Sequence, residues 1–172
     1  MLKYYLCLYL LLYLVQVFGQ KSIIAKQGFE PVQETWQIAS ISTEPCTQDG
    51  DSWNYHTELG DILPDEGGYF WGIQDLNGSC GSSGFEYLEL TSYNIKNYKN
   101  VVLSFAVQVK GFDNGDDIKY QVWFDEIPQP EVLLIDGAND FSHADWQLVQ
   151  IEIPNSISFV KLRISFKQKE VV

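Results

Sequence analysis

The segment TQDGDSW, residues 47–53, carries the clearest metal-binding chemistry in the chain. Asp49 and Asp51 flank Gly50, so both carboxylates and a backbone carbonyl can converge on one point. Calcium binds about six to eight oxygen ligands, which carboxylates, backbone carbonyls and water supply. The alternative is a solvated acidic turn, because aspartate side chains commonly bond nearby backbone amides in turns. The segment therefore predicts either a pair of calcium ligands or an ordinary acidic turn.

Aromatic side chains form a second group with binding chemistry. Carbohydrate sites stack sugar rings on exposed tryptophan or tyrosine and fix the hydroxyl groups with polar side chains. Strand alternation places Trp123 on the polar side of its strand, beside Gln121 and Asp125, which makes it the best candidate for an exposed ring. Trp53 lies next to the acidic turn, and Trp71 belongs to the aromatic segment YFWGI. We predict that Trp53, Trp71 and Trp123 bind a ligand; the competing interpretation for each ring is burial in the core.

The residues offer little support for catalysis. Most glycoside hydrolases need two carboxylates that face each other across a cleft. Glu86 and Glu89 are three positions apart on a candidate strand, so their side chains point to opposite faces. The serines lack a Gly-x-Ser-x-Gly context, and the glycine-rich segment GSCGSSG has no lysine and no following helix with which to bind phosphate. We therefore predict that the protein is not an enzyme.

The charge of the chain excludes one class of partner. Its 172 residues include 11 basic and 23 acidic side chains, for a formal net charge of −12. Binding to phosphate backbones needs clustered lysine and arginine, so we expect no nucleic-acid partner. The length fits one domain of about 100–200 residues.

The N-terminus has the pattern of a secretory signal peptide. Lys3 supplies a positive charge, residues 4–18 are apolar apart from Gln16, and Gly19 is a small residue suited to cleavage. The alternative is an uncleaved anchor, but the apolar stretch is shorter than the roughly 20 residues of a spanning helix. We predict a signal helix at residues 1–19, a mature domain at 20–172 that is secreted or held at the cell surface, and no membrane span after cleavage.

Two cysteines, Cys46 and Cys80, lie outside the predicted signal peptide. In an oxidising compartment, two thiols in turn-rich segments are more often paired than free. We predict a Cys46–Cys80 disulfide; the alternative is two free cysteines. Metal ligation by these thiolates is disfavoured because the chain has no Cys-x-x-Cys spacing.

Alternation of apolar and polar residues dominates the mature chain. This pattern predicts half-buried strands, and Asn114-Gly115 predicts a hairpin between the first two long ones. No segment shows the apolar stripe of a helix, so the pattern indicates an all-β sandwich or barrel. The predicted strands cover residues 69–73, 85–90, 101–110, 118–124, 132–135, 149–153 and 160–166.

The order of these landmarks is similar to that of a known group of modules. The chain runs through GFEPVQETWQI, DGDSWNYH, GGYFWGIQD, YKNVVLSFAVQVK, VWFD, DWQLVQIEIP and VKLRISF. Over residues 28–167 this resembles the MAM-like and carbohydrate-binding-module-like jelly rolls of secreted bacterial surface proteins of the Bacteroidetes type. No single motif among these landmarks is diagnostic.

The resemblance implies a fold, an ion and a role. The fold is an antiparallel two-sheet jelly roll, and the ion is a structural calcium. Glu30, Asp49 and Asp51 occupy positions that match its ligands, and Asp75 is expected to join them. The chain ends SFKQKEVV where similar modules continue, so we expect the closing strand to be missing.

The role implied is that of a non-catalytic adhesion or recognition module that binds glycans or cell-surface proteins. The alternatives are a carbohydrate-active enzyme, an accessory domain of one, or a structural spacer.

Overall fold

The computed structural model describes residues 22–32, 34–42, 52–74 and 84–168. Within these ranges the chain forms strands and no helix, which confirms the prediction of an all-β protein. None of the described residues therefore belongs to a helix that could cross a membrane. The predicted signal helix at residues 1–19 lies outside the described residues. The strands are β1 (Ile38–Ile41), β2 (Ser52–His56), β3 (Phe70–Gln74), β4 (Glu86–Leu90), β5 (Tyr93–Asn94), β6 (Val102–Val107), β7 (Asp117–Phe124), β8 (Ile127–Pro128), β9 (Val132–Asp136), β10 (Gln147–Glu152) and β11 (Phe159–Lys167).

Among the described residues, seven strands form one sheet, with β11 near its centre. The order is β1-β4-β11-β7-β8; in addition β5 pairs with β11, and β9 pairs with β7. Two further sheets have two strands each, β10-β6 and β2-β3. All of these pairings are antiparallel.

The alternation in β11 explains why the large sheet has one apolar and one charged face. Val160, Leu162 and Phe166 are 4%, 3% and 4% exposed. Lys161 and Arg163 lie between them in sequence and therefore point to the opposite face. One face of the sheet is thus committed to the core, and the other is left for polar side chains.

The first part of the core joins the large sheet to β6. Leu162 and Val122 of the large sheet pack with Leu103 of β6 and with Ile153, the residue that follows β10. These side chains are 3–4% exposed. Phe105 of β6 and Tyr120 of β7 also meet edge to face, at 5.5 Å between ring centroids, which adds a further contact between these two sheets.

The second part of the core joins the large sheet to the β2-β3 pair. Trp53 of β2 packs with Ile118 of β7 and Phe166 of β11. A largely apolar cavity of about 170 Å³ lies here, and residues such as Trp53, Trp71 and Phe105 line it. The β2-β3 pair therefore packs its tryptophans against the inner side of the large sheet.

The predicted hairpin at Asn114-Gly115 is wrong, although the turn itself forms. Gly115 has a φ of 104°, and the amide of Asp116 donates to the carbonyl of Asp113 at 3.1 Å. The flanking strands do not pair: β6 pairs with β10, whereas β7 pairs with β11, β8 and β9. The connection between β6 and β7 also contains Val109, which is only 2% exposed. Burial of this apolar side chain holds the connection against the core as the chain passes from one sheet to the other.

Truncating the core is expected to destabilise the fold far more than truncating its surface. Leu162→Ala removes a side chain that is 3% exposed and should lower the free energy of unfolding by about 2–4 kcal/mol. The matched control is Leu148→Ala, because Leu148 is 64% exposed; we expect less than about 1 kcal/mol there. Urea unfolding measures both, and equal losses would contradict this assignment of the core.

Candidate functional site

A cluster of charged and aromatic side chains lies on the face of the large sheet that is turned away from the core. In the strand register Arg163 lies between Gln121 of β7 and Glu89 of β4, and Lys161 lies opposite Trp123. Residues that are directly opposite in an antiparallel pair share a face, so these side chains are neighbours. We call Glu89, Lys161, Arg163, Tyr87 and Trp123 together the Arg163 site.

Glu89 is the acidic centre of the Arg163 site. Its Oε2 accepts hydrogen bonds from Nε and Nη2 of Arg163 at 2.9 Å and 2.6 Å. Its Oε1 lies 3.5 Å from Nζ of Lys161. The Glu89 side chain is 12% exposed and that of Lys161 is 18% exposed, whereas that of Arg163 is 34% exposed. Arg163 is thus the charged group of the site that solvent reaches most easily.

Two aromatic rings flank these cations. The guanidinium carbon of Arg163 lies 4.6 Å from the Tyr87 ring centroid and 5.2 Å from that of Trp123. The Lys161 ammonium lies 4.2 Å from the Trp123 centroid. A cation over an aromatic face is attracted by the ring quadrupole, by about 0.5–2 kcal/mol depending on its exposure. The rings therefore hold both cations in defined positions.

The same face continues toward the other end of β7 and β11. Lys119 pairs with Glu131 at 3.2 Å, and Lys167 pairs with Asp117 at 3.3 Å. Lys119 also lies 4.2 Å from the ring centroid of Phe85. In these two pairs the charges balance, whereas Glu89 faces two cations. Counted over the part of the chain that the structure describes, the Arg163 site therefore has one positive charge in excess.

The three predicted ligand-binding rings do not form one site: Trp53 and Trp71 contact each other, and Trp123 lies on another face. Trp123 lies on the outer face, as its alternation predicts, and is half-buried. Trp53 is 7% exposed and belongs to the core. Trp71 is half-buried and meets Trp53 edge to face at 5.5 Å between ring centroids. Their indole Nε1 atoms have no hydrogen-bond partner among the described residues. Only Trp123 of the three thus belongs to the outer face of the large sheet.

Of the predicted metal ligands, only Glu30 lies within the described residues. Its carboxylate accepts a hydrogen bond from the amide of Gly68 at 2.7 Å. Gly67 has a φ of 73°, a backbone conformation that favours glycine, and a Cβ there would displace the same carboxylate. Nearby, the Glu66 carboxylate, 2.9 Å from the ammonium of Lys26, raises the pKa of Lys26. These contacts fasten the N-terminal segment to the chain that leads into β3.

The strand register defines the two ends of the β2-β3 pair. His56 pairs with Phe70 at the end of the β2-β3 pair that adjoins Gly68, and Ser52 pairs with Gln74 at the opposite end. Asp49, Asp51 and Asp75 lie outside the described residues. Within the described ranges, no three acidic, histidine or cysteine side chains group as metal ligands. The calcium site at Glu30, Asp49, Asp51 and Asp75 stays a prediction, as does the Cys46–Cys80 disulfide, which also lies outside the described residues.

A serine and a histidine form a close pair on β2. Nε2 of His56 lies 2.5 Å from Oγ of Ser52. Gly72 of β3 makes room for the imidazole, because a Cβ there would lie 2.5 Å from Cδ2 of His56. Burial lowers the pKa of His56 from its ordinary value. No carboxylate among the described residues is hydrogen-bonded to His56, so within this part of the chain the pair has no third group of the kind that orients a catalytic histidine.

The arrangement at the Arg163 site suits binding more than bond cleavage. Glu86 lies in register with Phe166 and Glu89 with Arg163, so the two carboxylates point to opposite faces, as predicted. The site offers cations, rings and one half-buried carboxylate. Sequence reasoning identified Trp123 but missed Tyr87, Lys161 and Arg163 as its companions; their alternation in β4 and β11 was the available signal.

Chelation tests the predicted calcium. We expect EDTA to lower the Tm of the calcium-loaded protein by several degrees, because an ion bound only by the folded state stabilises that state. Asp51→Asn should abolish this response. Asp61→Asn is the control, since that carboxylate pairs with Lys110 at 3.1 Å and should leave the response intact. Identical melting curves with calcium and with EDTA would contradict the calcium prediction.

Acidification tests the environment of His56. Because the folded protein holds the pKa of His56 below the ordinary value of about 6.5, the neutral imidazole favours folding. Its contribution is full above that value and is lost as the pH falls below it. We expect the wild type to lose more stability than His56→Gln between pH 7.5 and pH 5.5, as measured by urea midpoints. The same loss in both proteins would show that His56 does not contribute.

Comparison with known proteins adds no family to this geometry. No protein-family model, curated protein or solved structure matches the chain. The resemblance to MAM-like and carbohydrate-binding-module-like jelly rolls stays a prediction from the order of the residues.

Proposed function

We propose that this protein is an exported, non-catalytic binding module with a two-layer β-sandwich fold, and that it recognises glycans at a cell surface or outside the cell. Its binding surface is the outer face of the large sheet around the Arg163 site. The observation that carries the proposal is the placement of Trp123 and Tyr87 on either side of Arg163, on a face that is not used by the core.

The contacts between sheets support the sandwich architecture. Leu103 of β6 and Leu162 of β11 belong to one buried cluster, and Trp53 of β2 and Phe166 of β11 belong to another. In a sandwich, two sheets bury their apolar faces against each other and leave their outer faces to polar side chains. The charged outer face of β4, β7 and β11 fits that arrangement.

The chemistry of the outer face supports glycan recognition. Sugars present apolar ring faces surrounded by hydroxyl groups, so their sites combine aromatic side chains with hydrogen-bonding groups. Here Trp123 and Tyr87 supply the rings, Arg163 supplies donors, and Gln121 supplies an amide in the same row of the sheet. The Gln121 amide donates to the carbonyl of Gln129 at 2.9 Å, which fixes its orientation.

A glycan array tests the proposal directly. We expect the wild-type protein to retain a subset of glycans and Trp123→Ala to lose that binding by about tenfold or more, since truncation of a central aromatic anchor typically costs 2 kcal/mol or more (about 30-fold). Tyr55→Ala is the matched control, because Tyr55 is 56% exposed on a different sheet and should leave binding unchanged. Thermal melting verifies that both variants fold. If no glycan is retained, or if Trp123→Ala binds like the wild type, the protein is better described as a spacer.

A further inference from the structure

We infer that the Arg163 site binds a carboxylate on a saccharide, so that the ligand is an acidic glycan rather than a neutral one. This inference rests on the proposed function and specifies the class of its ligand. It assigns a role to the cations that lie beside the Trp123 ring.

The first argument is the charge of the site. Glu89 contacts both Lys161 and Arg163, and the strand register brings no second carboxylate to this cluster from β7. Among the described residues one cation is therefore left without a counter-charge, although the chain as a whole has a formal net charge of −12. A ligand carboxylate would complete a set of two cations and two anions.

The second argument is the free side of the guanidinium. Nε and Nη2 of Arg163 both donate to a single oxygen, Oε2 of Glu89. Nη1 has no hydrogen-bond partner among the described residues. Arginine commonly binds carboxylates through such N–H groups, and these charge-assisted bonds are about twice as strong as neutral ones. The unused donors belong to the most exposed charged side chain of the site.

The third argument is the fixed position of those donors. Glu89 holds one edge of the guanidinium, while Tyr87 and Trp123 approach its carbon at 4.6 Å and 5.2 Å. An arginine that is held in this way loses little further conformational freedom on binding. Tyr87 and Trp123 also lie beside the free N–H donors of Arg163, so the sugar ring of a bound acidic saccharide would contact these two aromatic rings.

The position of the Lys161 ammonium over the Trp123 ring also favours an acidic ligand. The Lys161 ammonium lies 4.2 Å from the ring centroid. A neutral sugar that stacks on this side of the ring would have to displace the ammonium or bury it with only Glu89, which it shares with Arg163, as a counter-charge, and burial of incompletely paired charge is costly. An acidic sugar instead brings a negative charge to the same place.

A matched pair of ligands tests the charge without altering the protein. Oligogalacturonate and its fully methyl-esterified form differ in whether the carboxyl groups are charged. By isothermal titration calorimetry we expect the acid to bind and the ester to bind about tenfold more weakly or worse, as for loss of one charged hydrogen-bonding partner. Raising NaCl from about 50 mM to about 300 mM should weaken binding of the acid and leave the ester unchanged, since salt screens charge pairs.

Variants locate the site. Arg163→Gln should remove the preference for the acid, and Arg163→Lys should retain only part of it, because lysine keeps the charge and loses the planar group of donors. Lys99→Gln is the control: it removes one positive charge from a residue that is bonded to the backbone of Asn155, away from the outer face. Arg163→Gln leaves the half-buried Glu89 with Lys161 as its only cation among the described residues, which lowers stability. Melting curves therefore verify that each variant is folded.

The outcomes separate this inference from the proposed function. Equal binding of acid and ester that depends on Trp123 would overturn the acidic ligand and leave glycan recognition standing. Binding of neither would overturn the inference, and the glycan array would then decide the wider proposal. Binding of polyglutamate as tightly as oligogalacturonate would overturn the saccharide, because the carboxylate alone would then account for affinity. Loss of acid binding in Arg163→Gln but not in Lys99→Gln would support the inference.

Discussion

The two-faced strand β11 is the constraint on which the rest of the structure depends. It pairs with β4 on one side and with β7 on the other, so its register determines the faces of three strands at once. Leu162 and Phe166 point into the core, and Lys161 and Arg163 point out. A slip of one residue would exchange the two faces. Burial of the apolar residues therefore positions the charged ones, and the Arg163 site derives its geometry from core packing.

Alternation of apolar and polar residues was sufficient to predict the strands that have one apolar face. It was not sufficient where a strand, or the sheet it enters, is determined by pairing with another strand. Alternation predicted β6, β7, β10 and β11, but β1 and β2 were missed. In β2, Trp53 is buried and Tyr55 is 56% exposed although both occupy the same face, so no clean alternation marks the strand. The strand exists because it pairs with β3. Asn114-Gly115 correctly indicated a turn, but turn chemistry does not specify which sheets the flanking strands enter.

The candidate site was predictable one strand at a time and not as an assembly. The polar position of Trp123 follows from alternation within β7 alone. Its companions come from β4 and β11, and the bonds that join Glu89 to Lys161 and Arg163 span 72 and 74 positions of the chain. Such distant contacts depend on strand order and register, which side-chain pattern does not encode locally. The same limit applies to Trp53, whose residue type suits a binding ring and a core side chain equally well.

The energetics of the Glu89 cluster fit the proposed recognition role better than a role in stability. The Glu89 side chain is 12% exposed, so forming the cluster removes much of its hydration. For ion pairs that are taken out of water, the cost of desolvation commonly cancels the Coulomb attraction, and apolar replacements are often as stable. What the cluster does provide is an arginine that is held rigidly by a carboxylate and two rings, with donors left over. Holding a charged group in place before a ligand arrives lowers the entropy lost on binding, so the rigid arginine is the feature of the cluster that the proposed function requires.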